Sequence, residues 1–246
     1  DRLVASVHTM LGRRVAGLAL IVSELAPHLL DELSERKVRT VVYDVGSPRP
    51  NVHCIRTQYR RGMQRIVEYL HDMGHLRMAF AGHHNTLGPL SARYQSFLEA
   101  LKRYGNQVEH RLVASEDGYE GGRQVVRDLF GSGTPPTAIV CVNDFMAVGV
   151  LRQLRELGLR VPEDVSVTGF DNISLSEMIA PSLTTVDIPR AALGRRIFSM
   201  LTDKGEGTRD MVIDPELVLR ESTGPVAQSA AAGEEQGVAR RAKRAL

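Results

Sequence analysis

Between residues 136 and 187 the chain reads PTAIVCVNDFMAVGVLRQLRELGLRVPEDVSVTGFDNISLSEMIAPSLTTVD, and no other stretch constrains the fold as much. Two short apolar runs, residues 138–142 and 165–170, are rich in β-branched residues. That is the pattern of strands covered on both faces. Between them, residues 145–157 read as a helix stopped by Gly158. Such a β-α-β crossover almost always joins neighbouring parallel strands. Polar side chains follow each run: Asn143 and Asp144 after the first, Asp171 and Asn172 after the second. Ligands of open parallel sheets bind beyond the carboxyl ends of the strands. The segment therefore predicts a pocket rim together with a fold.

The rest of the chain alternates in the same way. Helices are expected at residues 3–11, 26–36, 59–73, 91–104, 118–130 and 190–201. Strands are expected at 15–22, 40–44, 78–82 and 109–114, a turn-rich link at 45–51 and an extended stretch at 211–221. The alternation argues for an α/β fold of parallel, doubly wound sheets. Its 246 residues hold one large or two small domains. A net charge of +2 gives no argument for nucleic-acid binding. The longest apolar runs fall far short of the ~20 residues that span a bilayer, so no membrane partner is expected. No basic-then-apolar segment opens the chain as a secretory signal would.

Cys54 and Cys141 sit in apolar runs and read as buried thiols, with a disulfide the less supported alternative. His83 and His84 are adjacent at a strand end, where side chains diverge, and no ligand-spaced Cys or His follows, so no metal site is expected. No Gly-rich phosphate loop, nucleophile elbow or HExxH motif is present, and no cofactor is expected. Residues 225–246 are small, polar and charged and read as a disordered tail. The basic cluster Arg240, Arg241, Lys243 and Arg244 within it reads first as solvated charge and second as a nucleic-acid contact.

PTAIVCVNDFMAVG, LRVPEDVSVTGFDN and PSLTTVDIPRAALGRRI, in that order and spacing, resemble the effector-binding domain of the lactose/galactose repressor family. The resemblance runs from about residue 1 to 224. It implies two doubly wound parallel-sheet lobes of the periplasmic-binding-protein-like type I fold. The first lobe would hold residues 1–75 and 187–207, and the second 76–186 and 208–224. Lobes joined by several crossings suit hinge closure on a ligand. The resemblance further implies a cytoplasmic, homodimeric transcription regulator, most simply a repressor. Its partners would be a small-molecule effector, a sugar or a nucleoside, and operator DNA reached through a helix-turn-helix headpiece. No headpiece reads in this chain, and the first lobe shows only two clear strands. The lobe is therefore expected to be incomplete and the chain truncated at its N-terminus. A periplasmic sugar-binding protein of an uptake system is the alternative. An enzyme needs a base or nucleophile with an orienting partner, and none stands out.

Four residues are candidates for effector binding. Asp171 follows a strand; by itself it could equally cap a turn, but the resemblance implies that it accepts hydrogen bonds from effector hydroxyls. Asn143 ends a strand with an amide that both donates and accepts, and is expected to face the pocket while Asp144 caps the next helix. The resemblance implies that Arg93, near a helix start, reaches the effector with its planar guanidinium, whereas most helical Arg side chains are simply solvated. Tyr119 stands either as a ring stacked on the ligand or as an ordinary packed aromatic. Phe145 and Phe170 read as pocket wall or core, with core favoured. One position departs from the family: Gln58-Tyr59 stands where members usually carry Asp-Asn.

Overall fold

The computed structural model describes residues 2–83, 88–116, 118–203 and 210–226. The chain divides into two compact units. One holds residues 1–58, 87–89 and 189–214; the other holds 59–86, 90–188 and 215–246. His84 and the basic cluster at 240–244 lie outside the described residues.

In the first unit, four parallel strands form one sheet: β1 (Gly17–Ile21), β2 (Arg39–Tyr43), β3 (Val52–Thr57) and β9 (Asp210–Ile213), in the order β1-β2-β3-β9. The two strands expected from sequence are present as β1 and β2, and the count of two is corrected to four. β3 is not evident in the sequence because His53 and Arg56 interrupt its apolar run. Yet Val52, His53, Cys54 and Ile55 are all buried. The extended stretch expected at 211–221 is two strands separated by Pro215, which has no N–H to donate to a ladder. Helices α1 (Arg2–Gly12) and α2 (Pro27–Glu35) contribute Val7, Leu29, Leu30 and Leu33 to a core with Leu18, Leu20 and Val42. Helix α8 (Arg190–Thr202) packs Leu193 and Met200 with Val41 and Ile55 in a second cluster.

The larger unit is built on β4 (Arg77–His83), β5 (Glu109–Ser115), β6 (Ala138–Cys141) and β7 (Ser166–Thr168), all parallel, in the order β5-β4-β6-β7. From β4 the chain passes first to β5 on one side and then to β6 on the other. A reversal of this kind opens a crevice at the carboxyl ends of β4 and β6. The helices are α3 (Tyr59–Asp72), α4 (Gly88–Leu101), α5 (Gly118–Gly131), α6 (Asp144–Glu156) and the short α7 (Ser174–Met178). An antiparallel pair, β8 (Thr185–Asp187) and β10 (Glu216–Val218), completes the unit. The sequence reading places α3 with the first lobe; its Met63, Ile66, Val67 and Leu70 instead share one core with Phe80, Phe97 and Phe170. His75 is buried and structural: its ring nitrogens lie 3.0 Å from Thr137 Oγ1 and 3.0 Å from the Gly224 carbonyl. Cys54 and Cys141 are free and buried, so no disulfide joins them.

Helices α5 and α6 approach closely because glycines line their contact. A Cβ on Gly122 would stand 2.1 Å from the Met146 carbonyl oxygen, and one on Gly149 would stand 1.9 Å from that of Tyr119. Backbone cannot yield as a flexible side chain does. Gly149→Ala is expected to destabilise this unit by about 1–3 kcal/mol, the usual cost of overpacking, read as a lowered midpoint in thermal unfolding. A control Gly158→Asn, at a helix end with open space and φ +70°, should cost far less.

Candidate functional site

The polar residues at the strand ends of the larger unit meet around one buried guanidinium. Arg93, on α4, is only 6% exposed. Its Nη2 donates to Asp171 Oδ1 at 2.7 Å, and its Nη1 donates to Asp171 Oδ2 at 3.3 Å and to the Val142 carbonyl at 2.7 Å. The pair is a bidentate, charge-assisted fork, the geometry a guanidinium and a carboxylate favour. Two aromatic rings pack against the cation from neighbouring sides, with its Cζ 4.4 Å from the Phe170 centroid and 5.1 Å from that of Tyr59. The two rings lie 5.7 Å apart. Burial works against the charged form of Arg93, but Asp171 and the Tyr59 phenol outweigh it and raise its pKa. Nε of Arg93 is buried without a hydrogen-bond partner among the described residues.

Asp171 and Asn172 both have positive φ, +110° and +49°. Neither is glycine, so the surrounding structure must hold this conformation. The Asp171 N–H donates to the Val186 carbonyl at 2.9 Å. Asn172 Nδ2 donates to Asp187 Oδ1 at 2.8 Å, and Asn172 Oδ1 accepts from Arg220 Nη2 at 2.8 Å. The next backbone N–H, that of Ile173, donates to Asp144 Oδ2 at 2.8 Å. Strain concentrated at a strand end, and fixed by side chains from β8 and from the segment after β10, is characteristic of binding sites.

The roles expected for Asn143 and Asp144 are exchanged. Asn143 caps α6: its Oδ1 accepts from the Met146 N–H at 2.8 Å. Asp144 is fully buried and does not cap the helix. Its Oδ1 accepts from the Thr185 hydroxyl at 2.5 Å while Oδ2 holds Ile173. Either residue type suits an N-cap; the backbone, extended at Asn143, decides between them.

Arg93, Asp171 and, through the Val142–Asn143 strand end, Asn143 are brought together. Tyr119 is not: half-buried at the start of α5, it acts electrostatically on the exposed Arg152 of α6 and touches neither Arg93 nor Asp171 among the described contacts. Phe170 is core, as expected. Phe145 is not, being 52% exposed, and the ring carbons nearest Gly118 would stand 3.1 Å from a Cβ there. Sequence reasoning misses Thr185 and Arg220, which lie in runs without a motif. It flags Tyr59 only as a departure from a family pattern. No group of three or more His, Cys, Asp or Glu suited to a metal occurs among the described residues. No helix among them is long and apolar enough to cross a membrane.

A doubly wound unit with a preset ion pair beyond its strand ends is the architecture of small-molecule binding α/β domains. Residues 67–223 match the family described as periplasmic binding protein-like domain. The HTH-type transcriptional repressor CytR of Escherichia coli K12 is 37% identical over 164 residues, 64% of this chain and 48% of that protein. This chain thus spans about half the length of that relative. Among solved structures, a LacI family regulator from Enterococcus faecium with bound ribose superposes with TM-score 0.79 at 27% identity, covering 89% of this chain and 83% of that one. The lac repressor dimer bound to operator and the anti-inducer ONPF gives TM-score 0.75 at 26% identity, covering 89% and 78%. The chain belongs to the periplasmic binding protein-like domain family, as an effector-binding region of the LacI type.

Burial raises the Asp144 pKa to about 6 from an ordinary 3.8, against the lowering effect of its bonds to Thr185 and Ile173. A carboxyl group raised in the fold stabilises it when protonated. That contribution is complete below about pH 4 and is lost as pH rises through about 6. Relative to Asp144→Asn, the unaltered chain should therefore lose on the order of 3 kcal/mol of unfolding free energy between pH 4 and pH 7. Urea unfolding of both proteins across that range measures the difference; parallel pH curves would contradict it.

Proposed function

We propose that this chain is the effector-sensing and dimerising region of a DNA-binding transcription regulator, a repressor, and that it answers to a neutral, hydroxyl-rich small molecule such as a sugar or nucleoside. The observation that carries this reading is the Arg93–Asp171 fork beyond the carboxyl ends of β6 and β7. A carboxylate fixed by a guanidinium keeps lone pairs to accept adjacent hydroxyls. Ribose in a structural neighbour supports a ligand of this class. The repressor name of CytR supports the regulatory role over uptake or catalysis. The neighbour solved as an operator-bound dimer supports a homodimer and a DNA partner for the whole protein, with a helix-turn-helix headpiece making the operator contact.

The effector would favour one arrangement of the protein by its differential affinity for two states, and could shift the equilibrium by no more than that difference. Tyr119 remains a candidate only as an indirect contributor, because no contact joins it to the fork. The two lobes read from sequence are proposed as the elements that move.

Calorimetric titration with D-ribose, D-galactose, lactose, cytidine and adenosine tests the reading. At least one should bind, and Asp171→Ala should weaken that ligand by about 2–4 kcal/mol, because its hydroxyls lose a charged acceptor in a desolvated site. Affinity unchanged in Asp171→Ala removes Asp171 from the site.

A further inference from the structure

Tyr59 opens α3 with its ring against the buried guanidinium of the site. It is buried, its ring 5.7 Å from Phe170, and both rings pack against the Arg93 guanidinium from neighbouring sides. We propose that Tyr59 is a specificity-determining residue: with Phe170 it clamps Arg93 onto Asp171, so that the site reads its ligand through a charge-balanced pair of fixed orientation and rejects anions. The proposal rests on the effector reading above and deepens it.

The clamp leaves the guanidinium few options. Rings lie against it, the Tyr59 phenol interacts with it, one edge is spent on Asp171 and the Val142 carbonyl, and its Nε is buried without a partner among the described residues. Nε can donate one hydrogen bond to a ligand oxygen. It cannot supply surplus positive charge, because Asp171 already balances Arg93. The other cation of this region, Arg220, is committed to Asn172 Oδ1 and the Leu183 carbonyl. Asp187 adds a second carboxyl group, holding Asn172. A phosphate or carboxylate entering here meets carboxyl groups with no uncommitted cation among the described contacts, and like charges in a desolvated site repel strongly. An aliphatic side chain at position 59 would free the guanidinium to swing away from Asp171 and meet an anion.

Two measurements on the full chain decide the proposal. The first needs no ligand. Protons above aromatic faces are shifted upfield, so the Arg93 Nε–H resonance, assigned with Arg93→Lys, should lie upfield of ordinary arginines. It should keep that shift in Tyr59→Phe and lose much of it in Tyr59→Met. The shift is read in the unaltered chain, so a Met variant that fails to fold leaves it decided; an ordinary Arg93 resonance overturns the clamp. The second titrates D-ribose against ribose 5-phosphate, and cytidine against its 5′-monophosphate. The neutral member of a pair should bind at least tenfold more tightly. Tyr59→Met should weaken it roughly tenfold and narrow the gap, while Tyr59→Phe, which keeps the ring face and loses only the phenol's interaction with Arg93, should fall between the two. Equal affinity for the phosphate ester overturns the selectivity. Failure of every probe to bind the unaltered chain overturns the effector reading and the selectivity with it, whereas the resonance still reports on the clamp.

Discussion

A buried guanidinium must be paired and fully accommodated, or it costs more than its contacts return. Arg93 meets that demand with elements from across the larger unit. The end of β6 supplies the Val142 carbonyl, the turn after β7 supplies Asp171, and Phe170 and Tyr59 supply ring faces. Each contribution constrains the element that makes it. The turn after β7 adopts positive φ at Asp171 and Asn172 only because Val186, Asp187, Arg220 and Asp144 hold the neighbouring groups. Removing Asp171 would leave the Arg93 guanidinium buried and uncompensated, which generally costs about 3–5 kcal/mol; removing Arg93 would cost less, because the Asp171 side chain is 29% exposed. The ion pair is thus the point at which local strain, core packing and the proposed recognition of ligand meet.

Asp144 shows how the same region stores a second constraint. Its carboxyl group has no cation within hydrogen-bonding distance among the described contacts; a hydroxyl and a backbone N–H satisfy it, and burial leaves it reluctant to ionise. Its bond to Ile173 fixes the chain two residues beyond Asp171. The Thr185 hydroxyl on its other oxygen ties the same carboxyl to β8. A carboxylate at the head of α6 therefore supports the site from behind rather than lining it.

The sheets are legible in sequence where strands are covered on both faces, as at 138–142, because a short β-branched run is too brief for a buried helix and too apolar for a loop. β3 is hidden by His53 and Arg56: a polar side chain in a strand gives no sign from sequence that it will be buried. Strand ends bring Asp171 and the Val142 carbonyl, one residue before Asn143, to Arg93, since parallel topology alone brings carboxyl ends together. Which of Asn143 and Asp144 caps α6 is not legible, because two adjacent cap-competent residues differ only in backbone direction. Nor is the partnership of Tyr59 with Phe170 and Arg93, which joins three segments far apart in sequence. Tyr119 escapes sequence reasoning for a related reason. A helix-start aromatic has two faces to choose between, and here the Tyr119 backbone lies against Gly149 of α6 while no described contact joins its side chain to the fork.

The central claim, that Arg93 and Asp171 act as one unit, is tested most directly by a double-mutant cycle. Unfolding free energies of the unaltered chain, Arg93→Gln, Asp171→Asn and the double variant give the coupling between the two side chains. The account predicts that the double variant is less destabilised than the sum of the single variants by about 1–3 kcal/mol, as for residues in direct contact in one network. Additivity within about 0.5 kcal/mol, the behaviour of independent sites, would contradict it.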